Sequence, residues 1–192
     1  MEVVTFPRPS LQLAVVGQHS SSPDAHLAQA AAKLERMAKL GIKVRAGLTD
    51  VGIADQAYIE GFSRTVAALK LDFIHISDSS ASLGHHAIAE IVKCVKSCAP
   101  GTKVGLHLHN DFGLAMTAAM AALEAGVEIF DTSVDGTGEK AGQLNLGTFV
   151  LVELSERRRR HLPDFGQQLD REAREIIDEV QRVLDLMRDP GG

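Results

Sequence analysis

The stretch "GLHLHNDFGLA" at residues 105 to 115 sets His107 and His109 one residue apart at the end of an apolar run. Side chains alternate between the faces of a β-strand. Both imidazoles therefore project to one side, with Val104, Leu106 and Leu108 on the other. Two ring nitrogens brought together in this way serve one divalent ion when carboxylate, amide or water oxygens complete its shell. The same pattern also suits a hydrogen-bonded pair that simply closes a sheet. A second stretch, "DTSVDGTGEKAGQLNLG" at residues 131 to 147, holds Glu139, Lys140, Gln143 and Asn145 among glycines that permit close backbone approach to a ligand. Taken alone, it also reads as a surface turn.

Two other groups of reactive residues point less sharply to chemistry. Cys94 and Cys98 in "CVKSC" lie four apart on one helix face and supply half the ligands of a structural zinc site, but they read better as free thiols. The run "ERRRRH" at 156 to 161 reads as solvated basic surface.

The elements that must position these residues follow a repeat. Strand-like runs occur at 11 to 17 (LQLAVVG), 42 to 47 (IKVRAG), 71 to 77 (LDFIHIS), 103 to 109 (KVGLHLH) and 127 to 133 (VEIFDTS), each followed by a loop and a helical pattern. Ser22, Pro23 and Asp24 mark the start of a helix that ends near Gly41. Further helices are predicted over 56–70, 86–98 and 114–126, the last rich in alanine and stopped by Gly126. A final amphipathic helix, about 168–187, carries Leu169, Ala173, Ile176, Ile177, Val180, Val183 and Leu184 on one stripe.

Repeated βα units predict either an open doubly wound sheet or part of an eight-stranded barrel, and no G-x-G-x-x-G follows the first run to favour the former. Polar residues collect after the strands: Gln18 and His19, Thr49 and Asp50, Asp78 and Ser79, His107 to Asp111, Thr132 to Asp135. Five such ends in register predict a common polar mouth.

With 192 residues, 45% hydrophobic and 23% charged, the chain is long enough for one domain with a substantial core. A net charge of -5 gives no general attraction to nucleic acid or anionic membranes. No apolar run approaches the roughly 20 residues of a membrane span. "MEVVTFPRPS" has no signal-peptide pattern and the cysteines form no disulfide framework, so a cytoplasmic setting is expected.

The stretch "HLHNDFGLAMTAAMAALEAGVEIFDTSVDGTGEKAGQ" resembles the H-x-H-N-D-x-G-x-A and G-x-G-E-R-A-G-N signature of a family of metal-dependent barrel acyltransferases and lyases. That family includes 2-isopropylmalate synthase, homocitrate synthase, hydroxymethylglutaryl-CoA lyase and 4-hydroxy-2-oxovalerate aldolase. The resemblance covers about residues 11 to 155, more weakly upstream at "GLTDVGIAD" (47 to 55) and "ISDSSASLG" (76 to 84).

It implies an α/β fold, part of a TIM-type (β/α)8 barrel from about strand 4 to strand 8, with a C-terminal amphipathic helix. Residues 1–155 would form the catalytic-type domain and 156–192 a basic linker and helix. The implied cofactor is a divalent metal (Mn2+, Mg2+ or Zn2+), with acetyl-CoA a candidate co-substrate. His107 and His109 fall on the histidine ligands. Gln143 stands where the pattern has its ligand Asn, and Asn145, two residues on, is the alternative ligand. Asp111 is implied to orient a ligand histidine, and Glu139 and Lys140 complete the candidate catalytic set, Lys140 replacing an Arg and losing its bidentate fork. Ser79 keeps the hydroxyl of a substrate-contacting Thr, with Asp78 and Thr132 as further substrate contacts.

The resembled enzymes also place an aspartate ligand on their first strand, upstream of strand 4. The expectation is therefore that this chain is a fragment, that a partner chain or a second copy supplies the other strands, or that it is a partial barrel without metal chemistry. The implied reaction is Claisen-type acyl transfer to a 2-keto acid, with an aldolase or other lyase as the alternative. A non-catalytic subunit that completes a partner is the reading from another class. The implied ligands are a small keto acid or acyl-CoA.

Overall fold

The structure is a computed structural model that describes residues 2–5, 23–40 and 43–160 together with Glu175, Asp178, Glu179 and Arg182. Its strands are β1 (Glu2–Thr5), β2 (Arg45–Leu48), β3 (Phe73–Asp78), β4 (Lys103–Leu108) and β5 (Ile129–Phe130). They form one sheet in the order β1-β2-β3-β4-β5, every neighbouring pair parallel. Helices α1 (Pro23–Ala38), α2 (Gln56–Ala68), α3 (His85–Cys98) and α4 (Ala115–Glu124) lie between successive strands, and α5 (Leu146–Arg159) follows β5. A doubly wound sheet reverses its strand order at a switch point, whereas a barrel wall adds each strand beside the last. Strict nearest-neighbour order therefore decides for the partial barrel.

Helices and strands share one apolar layer. Helix α2 buries Tyr58, Ile59, Phe62 and Val66, and α3 buries Ile88, Val92 and Val95. They meet Leu48, Ile74, Ile76, Val104, Leu106 and Leu108, each no more than 2% exposed. Burying such a side chain is worth about 1.5–3 kcal/mol. This layer stabilises the fold and leaves the other face of the sheet to carry polar groups. Helix α4 buries only alanines, Ala115, Ala118, Ala119 and Ala122. Their small side chains let it lie close to the sheet.

Differences from the sequence reading have local causes. The run at 11 to 17 lies outside the described residues, and the first described strand is β1, in which Val3, Val4 and Thr5 have the β-branching that suits a strand. Strand β5 is shorter than 127 to 133, although Asp131 N still donates to Leu106 O at 2.9 Å and prolongs the ladder by one bond. Beyond it Ser133 bridges Asn145. Gly126 takes φ +101° after α4, as a terminating glycine should.

The boundary expected at 155/156 falls inside α5. The arginine run suits a helix surface because Arg157 pairs with Glu153 and Arg159 with Glu156, while Arg160 reaches Glu124 on α4. Glu175, Asp178, Glu179 and Arg182 are helical, and the apolar stripe expected beside them lies outside the described residues. Among the described residues no helix is long and apolar enough to cross a membrane.

Candidate functional site

Alternation places Gly105, His107 and His109 on the face of β4 opposite its buried Val104, Leu106 and Leu108. In register with them on that face lie Arg45 of β2, His75 of β3 and Ile129 of β5, with Asp131 one ladder step further. His107 Nε2 and His109 Nε2 are 3.4 Å apart, the rings edge to face with centroids 5.0 Å apart. Two imidazole nitrogens, each ~2.1 Å from a tetrahedral ion, would lie about 3.4 Å from one another. The pair is thus spaced to share one cation. Two imidazole nitrogens in a half-buried setting suit zinc, and oxygen ligands beside them would extend the choice to manganese or magnesium.

Asp131 supports this pair from below. Its Oδ2 lies 3.4 Å from His107 Nδ1, on the side of the ring away from His109. Arg45 donates to the same oxygen at 2.9 Å, and His75 Nε2 approaches it at 2.9 Å without the alignment of a hydrogen bond. Burial pushes the Asp131 carboxyl up, but the two imidazoles and the Arg45 guanidinium that face it outweigh burial. The group is held well below the usual carboxylate range. His75, 2% exposed, has room for its ring only because its register partners on either side are Gly47 and Gly105; a Cβ on Gly105 would stand 2.6 Å from His75 Nδ1. Below this row Arg45, Phe73, His75, Gly105 and Ile129 line a concavity of 380 Å³.

At the mouth the glycine-rich loop folds back over β4. Asn110 N donates to Gly142 O at 2.9 Å, and His109 bridges Gln143 in antiparallel fashion. Lys140, in the left-handed region at φ +57°, donates to the Ser79 carbonyl after β3 and pairs with Asp111 at 3.1 Å. Asp111 also accepts Ala141 N at 3.1 Å; this bond above all, with Lys140, lowers its pKa. Burial, His107 and Lys140 push the His109 imidazole down, which keeps it uncharged further into acid than an ordinary histidine. Asp111 thus ties the loop, and the carboxylate that meets a histidine ring is Asp131.

The other expected site residues take these places. Gln143 lies against Gly138, its Nε2 3.4 Å from Thr137 O. Asn145 Oδ1 accepts Thr148 N at 2.8 Å in the first turn of α5. Asp78 is 2% exposed, and its two oxygens accept Ser82 N and Leu83 N in the turn between β3 and α3, so it builds that turn. Thr132 is half-buried beside Asp131, and Glu139 is exposed on the loop. Cys94 and Cys98 are free and half-buried on α3. Among the described residues no group of three or more His, Cys, Asp or Glu converges to hold a metal ion.

Arg45, His75 and Asp131 were not singled out by sequence reasoning. The signal for Asp131 was its alternation with Ile129, and for His75 a lone imidazole inside an apolar run. Arg45 had no local signal, since its partner lies 86 residues away.

A profile of the HMGL-like family matches residues 2–177. Homocitrate synthase of Pyrococcus abyssi is 33% identical over 112 residues, 58% of this chain and 30% of that protein. A 2-phosphonomethylmalate synthase of Streptomyces rubellomurinus is 34% identical over 118 residues, 61% of this chain and 31% of that protein. The matches thus span about a third of the length of these relatives. An HMG-CoA lyase structure from Brucella melitensis superposes with a TM-score of 0.67 at 16% identity, over 95% of this chain and 65% of that one. The carboxyl transferase domain of Rhizobium etli pyruvate carboxylase does so with a TM-score of 0.56 at 21% identity, over 64% of this chain and 22% of that one. These likenesses show a shared barrel wall.

Proposed function

The chain belongs to the HMGL-like family, and from that premise we propose that it serves the making or breaking of a carbon–carbon bond beside the carbonyl of a 2-keto acid or an acyl-CoA. The observation that carries this reading is the 3.4 Å separation of His107 Nε2 and His109 Nε2. These two residues would hold a divalent cation, Mn2+, Mg2+ or Zn2+, with amide oxygen from Gln143 or Asn145 as candidate completion. Bound there, the cation supplies Lewis-acid stabilisation of the oxygen that gains negative charge.

The chain's own residues do the rest. Asp131 orients His107, and burial and its neighbours keep the His109 ring uncharged. Lys140, pinned between Asp111 and the Ser79 carbonyl, sets a positive charge at the mouth, where a substrate carboxylate would enter. Glu139, next to Lys140 on the loop, Ser79, whose carbonyl takes the Lys140 ammonium, and Thr132, next to Asp131, are candidate substrate contacts. Acetyl-CoA with a 2-keto acid is the substrate pair implied by the motif resemblance to the homocitrate and isopropylmalate synthases; aldol-type cleavage is the alternative chemistry for the same residues. Two free thiols accord with a cytoplasmic setting.

Calorimetric titration of the 192-residue chain with Mn2+ or Zn2+ tests the reading. One ion per chain is expected, bound at least tenfold more weakly by the His107→Ala, His109→Ala double variant. Equal binding by both, or none by the parent, overturns it.

A second reading is favoured by the described sheet, which is open at β1 and at β5. On that reading the chain completes a barrel with a second copy or a partner chain. A sedimentation experiment reporting only monomer up to high concentration removes the second-copy form.

A further inference from the structure

The two histidines are chemically unequal, and the inequality begins at Asp131. A neutral imidazole carries one N–H and one bare nitrogen, so each ring has two proton arrangements. His107 Nδ1 faces Asp131 Oδ2 at 3.4 Å. A bare nitrogen there would set a lone pair against a carboxylate that Arg45 and His75 hold in its charged form. A proton on Nδ1 instead faces the negative oxygen across that 3.4 Å. That arrangement leaves His107 Nε2 bare, and His109 Nε2 lies 3.4 Å from it. Two bare nitrogens would repel, so the proton of His109 belongs on its Nε2.

The buried Nδ1 of His109 gives an independent check. Among the described residues this atom has no hydrogen-bond partner. A buried N–H without an acceptor is rare in folded proteins, whereas an under-used acceptor is better tolerated. The bare nitrogen that the chain of protons assigns to this position is therefore the less costly choice.

We infer that Asp131 is a positioning residue that orders the protons along His107 and His109, presenting His107 Nε2 as a ready cation ligand and His109 as a ligand that must first move its proton from Nε2 to Nδ1. The move is a tautomer shift: solvent takes the Nε2 proton and returns one to Nδ1, with no net change of charge. This deepens the proposed cation site and rests on it, but the proton order exists without any cation.

The test is a nitrogen-15 spectrum of the histidine-labelled chain, free of metal and at a pH above the imidazole range, before and after addition of Zn2+. His107 is expected with its proton on Nδ1 throughout, and His109 with its proton on Nε2 before Zn2+ and on Nδ1 after. In Asp131→Asn the His107 preference weakens and Zn2+ affinity falls about 10–100-fold, the range seen when a supporting partner of a metal-bound histidine is lost. A metal-free parent spectrum with His107 protonated on Nε2 overturns the inference even if the variant fails to fold. So does unchanged Zn2+ affinity in a folded Asp131→Asn. If Zn2+ does not bind at all, the cation site fails while the metal-free spectrum still decides the proton order.

Discussion

Arg45 at the start of β2 and Asp131 just past β5 meet at 2.9 Å although 86 residues separate them. The pair spans the concave face across β3 and β4. Its side chains are 36% and 31% exposed, so solvent screens it and its direct contribution to stability is at most about 1 kcal/mol. Its consequence is positional, because Asp131 also faces His107.

Replacing Arg45 by Met keeps the length of the side chain and removes its charge. Stability is expected to fall by no more than about 1 kcal/mol, while Zn2+ affinity falls severalfold as Asp131 loses its lateral restraint. Thermal unfolding and calorimetry on the same preparation separate the two effects. A large loss of stability with unchanged Zn2+ affinity would reverse the assignment.

Gly105→Ala places a methyl group 2.6 Å from His75 Nδ1. His75 is 2% exposed, and its Nε2 already lies 2.9 Å from Asp131 Oδ2, so moving the ring breaks that approach. Overpacking of this kind costs about 1–3 kcal/mol, and each kcal/mol lowers Tm by roughly 2–4 °C in a chain of this size. Adding His75→Ala should restore part of the loss. A Gly105→Ala chain with the parent Tm would contradict the row in which His75 lies between two glycines.

Acid should weaken the fold in two windows. The folded-state pKa of His109 is lowered, so its contribution is present above the ordinary imidazole value of about 6.5 and is lost as pH falls through the depressed value. Asp131 is also lowered, and its contribution is present above about 3.9 and lost further into acid. Both slopes have the same sign. The urea midpoint should fall as pH drops below about 6.5 and fall again below about 3.9, and Asp131→Asn should flatten the second fall. A midpoint independent of pH between about 6.5 and 4 would sink the assignment of His109, and one independent of pH below about 3.9 that of Asp131.

Much of the site was legible because local periodicity decides it. His107 and His109 share a face by alternation alone, and Gly126 ends α4 where a left-handed residue was required. The loop at 131 to 147 was recognisable from its glycines and charged residues, and it does lie over the end of β4. Asp78 was less legible: an acidic residue at a strand end reads as a substrate contact, while the turn that consumes both its oxygens depends on the backbone path after β3. Asn145 shows the same limit, since its cap on Thr148 exists only because α5 begins there.

By itself the sequence determined the βα repeat, the apolar layer of each element, the inward-facing histidine pair and the family resemblance. All of these follow from spacing over a few residues or from a contiguous motif. The tertiary structure decided that β1 is Glu2–Thr5, that the strands lie in unbroken order, that α5 runs through the arginine cluster, and that Arg45, His75 and Asp131 converge beneath His107. The physical reason is range. Periodicity sets which face a side chain takes, but only the register of parallel strands, each separated from the next by a helix, sets which side chains meet on that face.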